Sequence, residues 1–417
     1  MIYSDFGNDA VKSYRSLPYE TNELYKRYNV MLSLPDPSGQ GDSPEGRARI
    51  LEAVKSIEEK TQMRFDLIVS DNFAKSNHRS VNVIDREHAT EEILSGKLFS
   101  SAESKLVAYA HAYTGKIIGI DLGEREEAKI NALFINDSSL VTQTLVHVGE
   151  EGSLCLSEFH VSTSHEAAAA VPLHEFTLSK GSNAEFNLLN NANTNTSSVV
   201  LCKGKAFGNA KLRANFVYNG SAATKTLGNF DACGEGSSID VNEVVYGTGE
   251  QKFDISTSMF NSKRNSSVLL ESAAVLDGSS YCAMKGFAKV EKWTKGARSK
   301  VTERGILLSQ AAHIDALPDM SIDYSDEVSA VHSAATAPID REALFYLESR
   351  GIAETEARKL FVSSFISRYL ARIGDQQMRE LASSVMLSRI DNDFFGEIGK
   401  FTGITPKGIW MPSNATE

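Results

Sequence analysis

Histidine is the residue type in this chain best suited to metal binding or proton transfer, and its placement is uneven. His332 stands among small residues in SAVHSAATAP, just before a segment with helical periodicity. His165 and His174 are each followed by glutamate, and His160 lies nearby. No HExxH motif is formed, and the interval from His165 to His174 is not a ligand spacing known for a helix. These three histidines are therefore predicted to lie on solvated strand faces rather than in a metal site.

The nucleophilic residues lack the motifs that usually activate them. Cys155, Cys202, Cys233 and Cys282 occur singly, without the CxxC pairs of structural zinc sites or iron–sulfur ligand motifs. They are expected to be buried, reduced thiols. The sequence contains no GxSxG motif for a nucleophilic serine and no GxxxxGK(S/T) loop for a nucleotide phosphate. The chain is therefore not expected to hydrolyse a nucleotide by itself.

The charge balance restricts the partners of the chain. Over 417 residues there are 43 Lys and Arg against 54 Asp and Glu, a formal net charge of −11. This excess of negative charge argues against chain-wide binding to nucleic acid or to anionic lipid. The first residues, MIYSDFGNDAVKSYRS, include no long apolar run, and no later stretch is long enough to span a bilayer. A cytoplasmic protein without nucleic-acid or membrane partners is expected.

Three regions with different hydrophobic periods must position these residues. Residues 1–100 are predicted to be mainly helical, with an amphipathic helix after Pro44, a short helix ending near Gly96 and a mobile loop near 34–47. Residues 101–337, clearly from Leu106 onward, show almost no helical period, and short alternating strands are separated by Gly, Asn, Ser and Asp. The helical period returns in 338–417, where Asp340 is predicted to cap a helix that ends near Gly351.

The strands of the central region share a degenerate repeat. A charged residue and Gly-Ser precede alternating residues in EGSLCLSEF, KGSNAEFNL, EGSSIDVNEV and DGSSYCAMKG. One tight turn followed by one strand, repeated at uneven intervals, favours a mainly β fold with an irregular β-solenoid core. A β-sandwich needs the same number of strands and is the competing architecture.

The segment from Gly305 to Phe365 resembles the closing segment of the SufB/SufD family of iron–sulfur cluster assembly proteins. It reads GILLSQAAHIDALPDMSIDYSDEVSAVHSAATAPIDREALFYLESRGIAETEARKLFVSSF, with the family's Leu-Leu-Ser, histidine turn, acidic cap and Phe-Tyr-Leu-x-Ser-Arg-Gly-Ile in order. The resemblance is looser back to about Gly236 and is not evident over residues 1–100. It implies a right-handed parallel β-helix core flanked by N- and C-terminal α-helical domains.

The resemblance also implies a role and partners. Family members pair through their β-helices, and each C-terminal helical domain docks a SufC ATPase, so the missing phosphate loop fits a non-catalytic scaffold whose energy comes from a partner. The implied partners here are a SufC-type ATPase and either a SufB-like subunit or a second copy of this chain. No tightly bound cofactor is implied, a transient iron–sulfur cluster would form at the subunit interface, and flavin binding is left open.

A few family residues carry over to this chain. The Cys-x-His strand of the family falls on His332, with Ala330 in place of the cysteine. Because alanine supplies no thiolate, the chain resembles a SufD-type partner. His332 is then either an imidazole ligand at the cluster site or an interface residue without a metal role. The implied candidates for docking the ATPase are Tyr346, Leu347, Arg350, Gly351 and Arg358.

A second function class is compatible with the same fold. β-Helix proteins also include polysaccharide enzymes that act through paired carboxylates. A β-helix carbohydrate-active enzyme is therefore the alternative, and it rests on fold analogy alone.

Overall fold

The structure is a computed structural model that describes residues 3–19, 25–30, 32, 34–35, 44–71, 73–90, 98–323 and 329–388. The short helix predicted to end near Gly96 lies largely outside these residues, as do residues 36–43 of the predicted loop and residues 389–417 of the C-terminal region. The predicted loop is also shorter than expected, because Pro44 already begins a helix. Proline suits that position, since the first turn of a helix needs no N–H donor there.

Two sheets of ten strands each contain nearly half of the described residues, and strands that follow one another along the chain mostly alternate between them. The first sheet contains, in spatial order, β2 (Ala74–Ser76), β1 (Leu67–Ser70), β5 (Glu127–Asn136), β7 (Ser153–Ser162), β9 (Asn183–Asn191), β11 (Lys211–Tyr218), β13 (Ser238–Gly247), β15 (Ser267–Leu276), β17 (Arg298–Leu307) and β20 (Ser329–Pro338). The second contains β18 (His313–Ala316), β16 (Tyr281–Val290), β14 (Lys252–Asn261), β12 (Ala223–Ala232), β10 (Thr196–Ala206), β8 (Ala168–Leu178), β6 (Leu140–Val148), β4 (Lys116–Leu122) and β3 (Val81–Asp85), with β19 (Asp319–Ile322) beside β16.

The sheets form a parallel β-solenoid of about eight turns, which confirms the predicted fold class. Neighbouring strands within each sheet run parallel, except for the pairs β1 with β2 and β3 with β4. A β-sandwich is built from antiparallel strands, so the competing architecture is wrong.

The described residues contain six α-helices and two short 3-10 helices. The α-helices are α1 (Tyr3–Ser16), α2 (Pro44–Thr61), α3 (Lys105–Tyr113), α4 (Arg341–Ser349), α5 (Glu354–Leu370) and α6 (Gln376–Ser388), and the 3-10 helices are Tyr25–Tyr28 and Arg86–His88. None of the helices in the described ranges is both long and apolar enough to cross a membrane.

One residue in each turn along one edge of the solenoid has a left-handed backbone. Its φ lies between 55° and 74°, and these residues are Arg125, Glu151, Gly181, Asn209, Gly236, Asn265 and Gly296. At Gly236, with φ +70°, a Cβ atom would lie 2.3 Å from Oδ1 of Asn209 in the turn below, so glycine is favoured there. The stacked turns include several of the Gly-Ser sites that the sequence repeat identified.

Apolar side chains fill the interior between the two sheets. Alternate residues of each strand point inward, as the two-residue period requires, and Phe134, Phe186, Phe230 and Phe253 are fully buried there. Burial of a side chain of this kind contributes about 1.5–3 kcal/mol relative to leaving it in water.

Helices cover the outer faces of both sheets. An apolar cluster that includes Ile57 of α2, Val217 of β11 and Ile366 of α5 packs on the first sheet. A second cluster, which includes Leu106 of α3 and Val199 of β10, packs on the second sheet. The solenoid is therefore enclosed between N-terminal and C-terminal helices.

A row of buried asparagines crosses the first sheet beneath the C-terminal helices. The amide of Asn215 donates to Asn187 Oδ1 at 2.8 Å, and the amide of Asn242 donates to Asn215 Oδ1 at 3.2 Å. Asn242 also donates to the carbonyl oxygen of Tyr369 in α5 at 3.2 Å. The row therefore links consecutive turns of the solenoid to each other and to a helix.

Ion pairs at the end of α5 hold the C-terminal helices on the same sheet. Lys129 Nζ lies 2.8 Å from Asp375 Oδ1, and Ser157 donates to Asp375 Oδ2 at 2.8 Å. Arg372 lies 2.9 Å from Glu271. Asp375 is buried, so its pairing with a cation and a hydroxyl compensates for its loss of water.

The structure corrects two expectations about where strands begin. The stretch KLVAYAHAY, predicted as strand, is the helix α3, capped by Ser104, whose hydroxyl accepts from the N–H of Val107 at 3.2 Å. Seven of its nine residues are buried, so the sequence shows no polar face by which a helix could be recognised. The predicted N-terminal helical region also contains β1, β2 and β3, which join the sheets through pairing with β5 and β4.

Candidate functional site

Within the described residues, the solenoid ends in strands that lack a neighbour on one side. We call the exposed edges of β18, β19 and β20 the open end. In the described residues β20 pairs with β17 alone, and nine of its ten residues are exposed, whereas most of β17 is buried. An uncovered edge of this kind presents unpaired backbone N–H and C=O groups and is a ready template for pairing with another chain.

His332 faces the interior column of the solenoid at this open end. It pairs in register with the fully buried Val301, so both side chains point to the same face. Its Nδ1 lies 3.4 Å from the carbonyl oxygen of Pro318. Because a carbonyl oxygen can only accept a hydrogen bond, this contact needs the proton on Nδ1 and leaves the lone pair on Nε2. An exposed imidazole in this state can ligate a metal ion.

Ala330 lies on the same face as His332 and pairs with Ser299. The open end therefore offers an imidazole without a thiolate beside it. The four cysteines lie elsewhere. Burial raises the pKa of Cys155 to about 12 and that of Cys233 to about 11, and it raises the pKa of Cys202 and Cys282 well above the usual value for a thiol.

Cys202 and Cys282 are buried, as predicted, whereas Cys155 and Cys233 are partly exposed. All four remain protonated at neutral pH, because each raised pKa lies far above 7. A thiol attacks or ligates as its thiolate. None of the four is therefore poised as a nucleophile.

Two carboxyl groups lie inside the solenoid below His332. Glu303 of β17 accepts from the backbone N–H of Gly286 at 2.7 Å, and burial raises its pKa to about 8. Glu243 of β13 accepts from Ser272 at 2.6 Å, and burial likewise raises its pKa. Glu243 and Glu303 both pair with Ser272, from opposite sides, so they lie in one inward column. The sequence alone did not identify either residue.

The histidines predicted to lie on solvated faces form part of the core instead. His160 Nε2 and His174 Nε2 both donate to Glu158 Oε2, at 2.8 and 2.9 Å, and all three residues are buried inside the solenoid. Their burial comes from the inward phase of β7 and β8, which the sequence did not reveal. His165 is exposed, as predicted, but it lies in the turn between β7 and β8 and not on a strand face.

Charge neutralisation explains how this cluster is tolerated in the core. Burial alone would raise the pKa of Glu158, but attraction to His174 and the two hydrogen bonds outweigh it and lower the pKa to about 2. Burial lowers the pKa of His160. Across the described ranges no group of three or more His, Cys, Asp or Glu side chains has the arrangement of a metal site.

The C-terminal helix α4 presents an apolar surface to solvent. Phe345 is 70% exposed and Tyr346 is 57% exposed, and Leu360 of the next helix, α5, is 51% exposed. The guanidinium of Arg350 lies 5.2 Å from the centre of the Tyr346 ring. We call Phe345, Tyr346 and Arg350 the α4 surface. Phe345 and Leu360 were not among the sequence candidates, although their large apolar side chains fall outside the buried stripes of their helices.

The remaining docking candidates lie beside the α4 surface. Leu347 is partly buried against the core, and Gly351 has φ +85°, which ends α4 as predicted. Arg358 contacts the carbonyl of Leu308 at 3.5 Å and Glu354 at 3.3 Å. A cavity of about 700 Å³ opens here, lined in part by Leu308, Phe345 and Arg358. The candidates thus fall in one region of the molecule.

The comparisons with known proteins agree with this architecture. The model of the SUF system FeS cluster assembly SufBD core domain matches residues 133–365, more than half of the chain. The iron–sulfur cluster assembly protein SufD of Bacillus subtilis is 24% identical over 295 residues, covering 69% of this chain and 67% of the relative. SufB of the same organism is 25% identical over 267 residues, covering 61% of this chain and 56% of that relative.

A third relative extends the match, and together these findings give the family. An iron–sulfur cluster assembly SufBD family protein of Staphylococcus aureus is 23% identical over 377 residues, covering 86% of this chain and 76% of the relative. The carbohydrate-active alternative finds no support in these matches. The chain belongs to the SufB/SufD family of SUF-system iron–sulfur cluster assembly proteins.

Proposed function

We propose that this chain is a SufD-like, non-catalytic scaffold subunit of the SUF iron–sulfur cluster assembly machinery. It pairs through the open end of its β-solenoid with a SufB-like chain or with a second copy of itself, and it docks a SufC-type ATPase on the α4 surface. Its place in the family and its similarity to a SufD protein over two thirds of both chains support this assignment.

The open end is the observation that carries the proposal. Val331 on β20 is 52% exposed and Ile322 on β19 is 46% exposed, next to an unpaired strand edge. Parallel strands are ordinarily covered on both faces and paired on both edges. A partner that continues the sheets would satisfy these backbone groups and bury the apolar side chains.

His332 is the residue of this chain that we place at the cluster site. The nascent iron–sulfur cluster is cargo carried at the interface, and the open end supplies one imidazole to it. Ala330 supplies no thiolate, so sulfur ligands must come from the partner chain. This division of ligands is the reason for preferring a SufB-like partner to a second copy.

The α4 surface is the part of the C-terminal region suited to an ATPase. α5 from Ala357 onward and α6 are packed on the solenoid through their buried residues, whereas Phe345 and Tyr346 face solvent. Aromatic and arginine side chains such as Tyr346 and Arg350 are enriched in protein interfaces. A missing phosphate loop in the scaffold is consistent with an ATPase partner.

Size-exclusion chromatography with light scattering tests the pairing. Two samples are compared at micromolar concentration: the chain alone, and the chain mixed with a SufB-like chain. We expect a complex of two chains in at least one of them. Val331→Asp should weaken that association by about 2 kcal/mol, roughly thirtyfold, because it places a charge in the apolar contact. Leu51→Asp, at a similarly exposed apolar residue of α2, is the control and should have no effect. A chain that stays monomeric in both samples contradicts the pairing.

Pull-down with a SufC-type ATPase, with and without nucleotide, tests the docking. Phe345→Asp should abolish binding, whereas Phe207→Asp, at an exposed aromatic residue of a solenoid turn, should retain it. If Phe345→Asp and Phe207→Asp both lose ATPase binding, or both keep it, the α4 surface is not the docking site.

A further inference from the structure

Glu303 is a buried carboxyl group near the open end that the proposed function does not use. It has no exposed surface, and its Oε1 accepts from the N–H of Gly286 at 2.7 Å. Its Oε2 is buried without a hydrogen-bond partner within the described part of the chain. A buried polar atom without a partner costs free energy, so packing alone does not explain a carboxyl group at this position.

The strand register places Glu303 beside His332. Glu303 pairs with Ala334 of β20, and Val301 pairs with His332. Glu303 and His332 therefore point to the same interior face from adjacent strands, offset by two residues along the strand. Among the described strands, only β20 lies between Glu303 and the open edge of the first sheet.

Both side chains contact the short segment 317–318. The carboxyl of Glu303 lies against the backbone N–H of Leu317, which also donates to the carbonyl of Met284 at 2.9 Å. The carbonyl of Pro318, the next residue, faces His332 Nδ1 at 3.4 Å. Proline has a fixed φ, so once the preceding peptide is held, ψ is the one backbone torsion of Pro318 that still turns its carbonyl. Glu303 thus holds one end of a segment whose other end orients the imidazole.

We propose that Glu303 is a positioning residue for His332. By holding segment 317–318 against the interior, it keeps the proton of the imidazole on Nδ1 and directs the Nε2 lone pair out of the open end. This inference rests on the proposed function, in which His332 is a ligand of the cluster. An imidazole binds a metal only through an unprotonated nitrogen, so the tautomer decides whether Nε2 can be that ligand. Second-shell groups that fix a histidine tautomer in this way are general at metal sites.

The ionisation state of Glu303 is consistent with this role. Burial raises its pKa to about 8, and the carboxyl of Glu243 adds to the rise. Cys282, on β16 of the second sheet, is a neutral thiol with a raised pKa. At neutral pH a mostly uncharged carboxyl therefore lies below His332.

Nitrogen NMR of the chain labelled with ¹⁵N-histidine tests the proposal at pH 7.5. The His332 signal is assigned by its loss in His332→Ala. Wild type and Glu303→Gln, which keeps an oxygen acceptor for the backbone N–H groups, should show the Nδ1–H tautomer in most molecules. Glu303→Met, which fills the same volume without an acceptor, should raise the Nε2–H population at least threefold. Glu243→Met is the matched control, since Glu243 bonds to Thr257 and Ser272 instead, and it should leave the tautomer unchanged.

Two results would overturn the proposal. One is a dominant Nε2–H tautomer in wild type, and the other is an unchanged tautomer in folded Glu303→Met. If Glu303→Met does not fold, Glu303→Asp replaces it with the same expectation, because the shorter side chain does not reach the N–H of Leu317. The measurement uses the chain alone, so it is independent of cluster assembly. A tautomer shift together with normal cluster yield in His332→Ala would retain the positioning and reject the proposed function.

Discussion

Replacing Glu303 by glutamine should stabilise the protein and change how its stability depends on pH. In the folded chain the carboxyl is fully buried, with one oxygen bonded to Gly286 and the other without a partner in the described residues. Folding therefore favours the protonated acid, and burial raises its pKa from 4.5 to about 8. Glutamine is nearly isosteric with the protonated acid and carries no charge at any pH.

The sign and size of the effect follow from linkage. A group whose pKa is higher in the folded than in the unfolded state favours folding fully below the unfolded pKa, and this contribution is lost as pH rises to the folded pKa. From pH 4.5 the loss grows by about 1.4 kcal/mol per pH unit, which gives about 3 kcal/mol at pH 7 and about 5 kcal/mol above pH 8. Glu303→Gln removes this loss.

Urea unfolding followed by circular dichroism measures the free energy of unfolding from pH 5 to pH 8.5. Wild type and Glu303→Gln should be nearly equal at pH 5 and should diverge until the variant is more stable by about 3 kcal/mol at pH 7. Glu250→Gln, at an exposed turn, is the control and should follow wild type at every pH. A difference between Glu303→Gln and wild type that does not change with pH would refute the reasoning, because it would mean that Glu303 is not protonated on folding.

Two other substitutions test the asparagine row and the open end. Asn215→Ala should lower the free energy of unfolding in urea by about 2 kcal/mol, because it leaves a buried donor and a buried acceptor of the neighbouring asparagines unpaired; a loss no larger than that of the exposed control Asn183→Ala would contradict this. His332→Ala should lower cluster yield several-fold in the complex reconstituted with SufB-like and SufC-type partners, without changing the unfolding curve. His313→Ala, at an exposed histidine that faces outward at the same end, should leave the cluster yield unchanged. If His332→Ala and His313→Ala give the same cluster yield, His332 is a packing residue.

Local sequence signals predicted the solenoid well, because its turns and caps depend on backbone geometry. Gly181 and Gly236 belong to the Gly-Ser repeats, and both take the left-handed conformation that a tight turn needs. Asp340 caps α4 through hydrogen bonds from the N–H groups of Glu342 and Ala343, at 2.9 and 3.2 Å. These interactions span only a few residues, so they can be predicted without knowing the fold.

The placement of His174 and of α3 could not be predicted in the same way. His174 follows an apolar run and precedes glutamate, and nothing in its neighbourhood shows that it points inward to meet Glu158. α3 is buried on nearly all sides, which removes the amphipathic period of a helix. Both depend on what the rest of the chain packs against them.

What the sequence determined by itself is the repeat of turn and strand, the C-terminal helices with the Asp340 cap of the first, and the absence of a thiol two residues before His332. Tertiary structure decided which polar groups the coiled chain encloses. Glu303 is remote in sequence from Gly286, Leu317 and His332, and only the stacking of turns 27–31 residues apart brings them to one end of one interior column. The physical reason is that burial and register, which set the charge of Glu303 and the direction of His332, are properties of the stacked strands and not of any single segment.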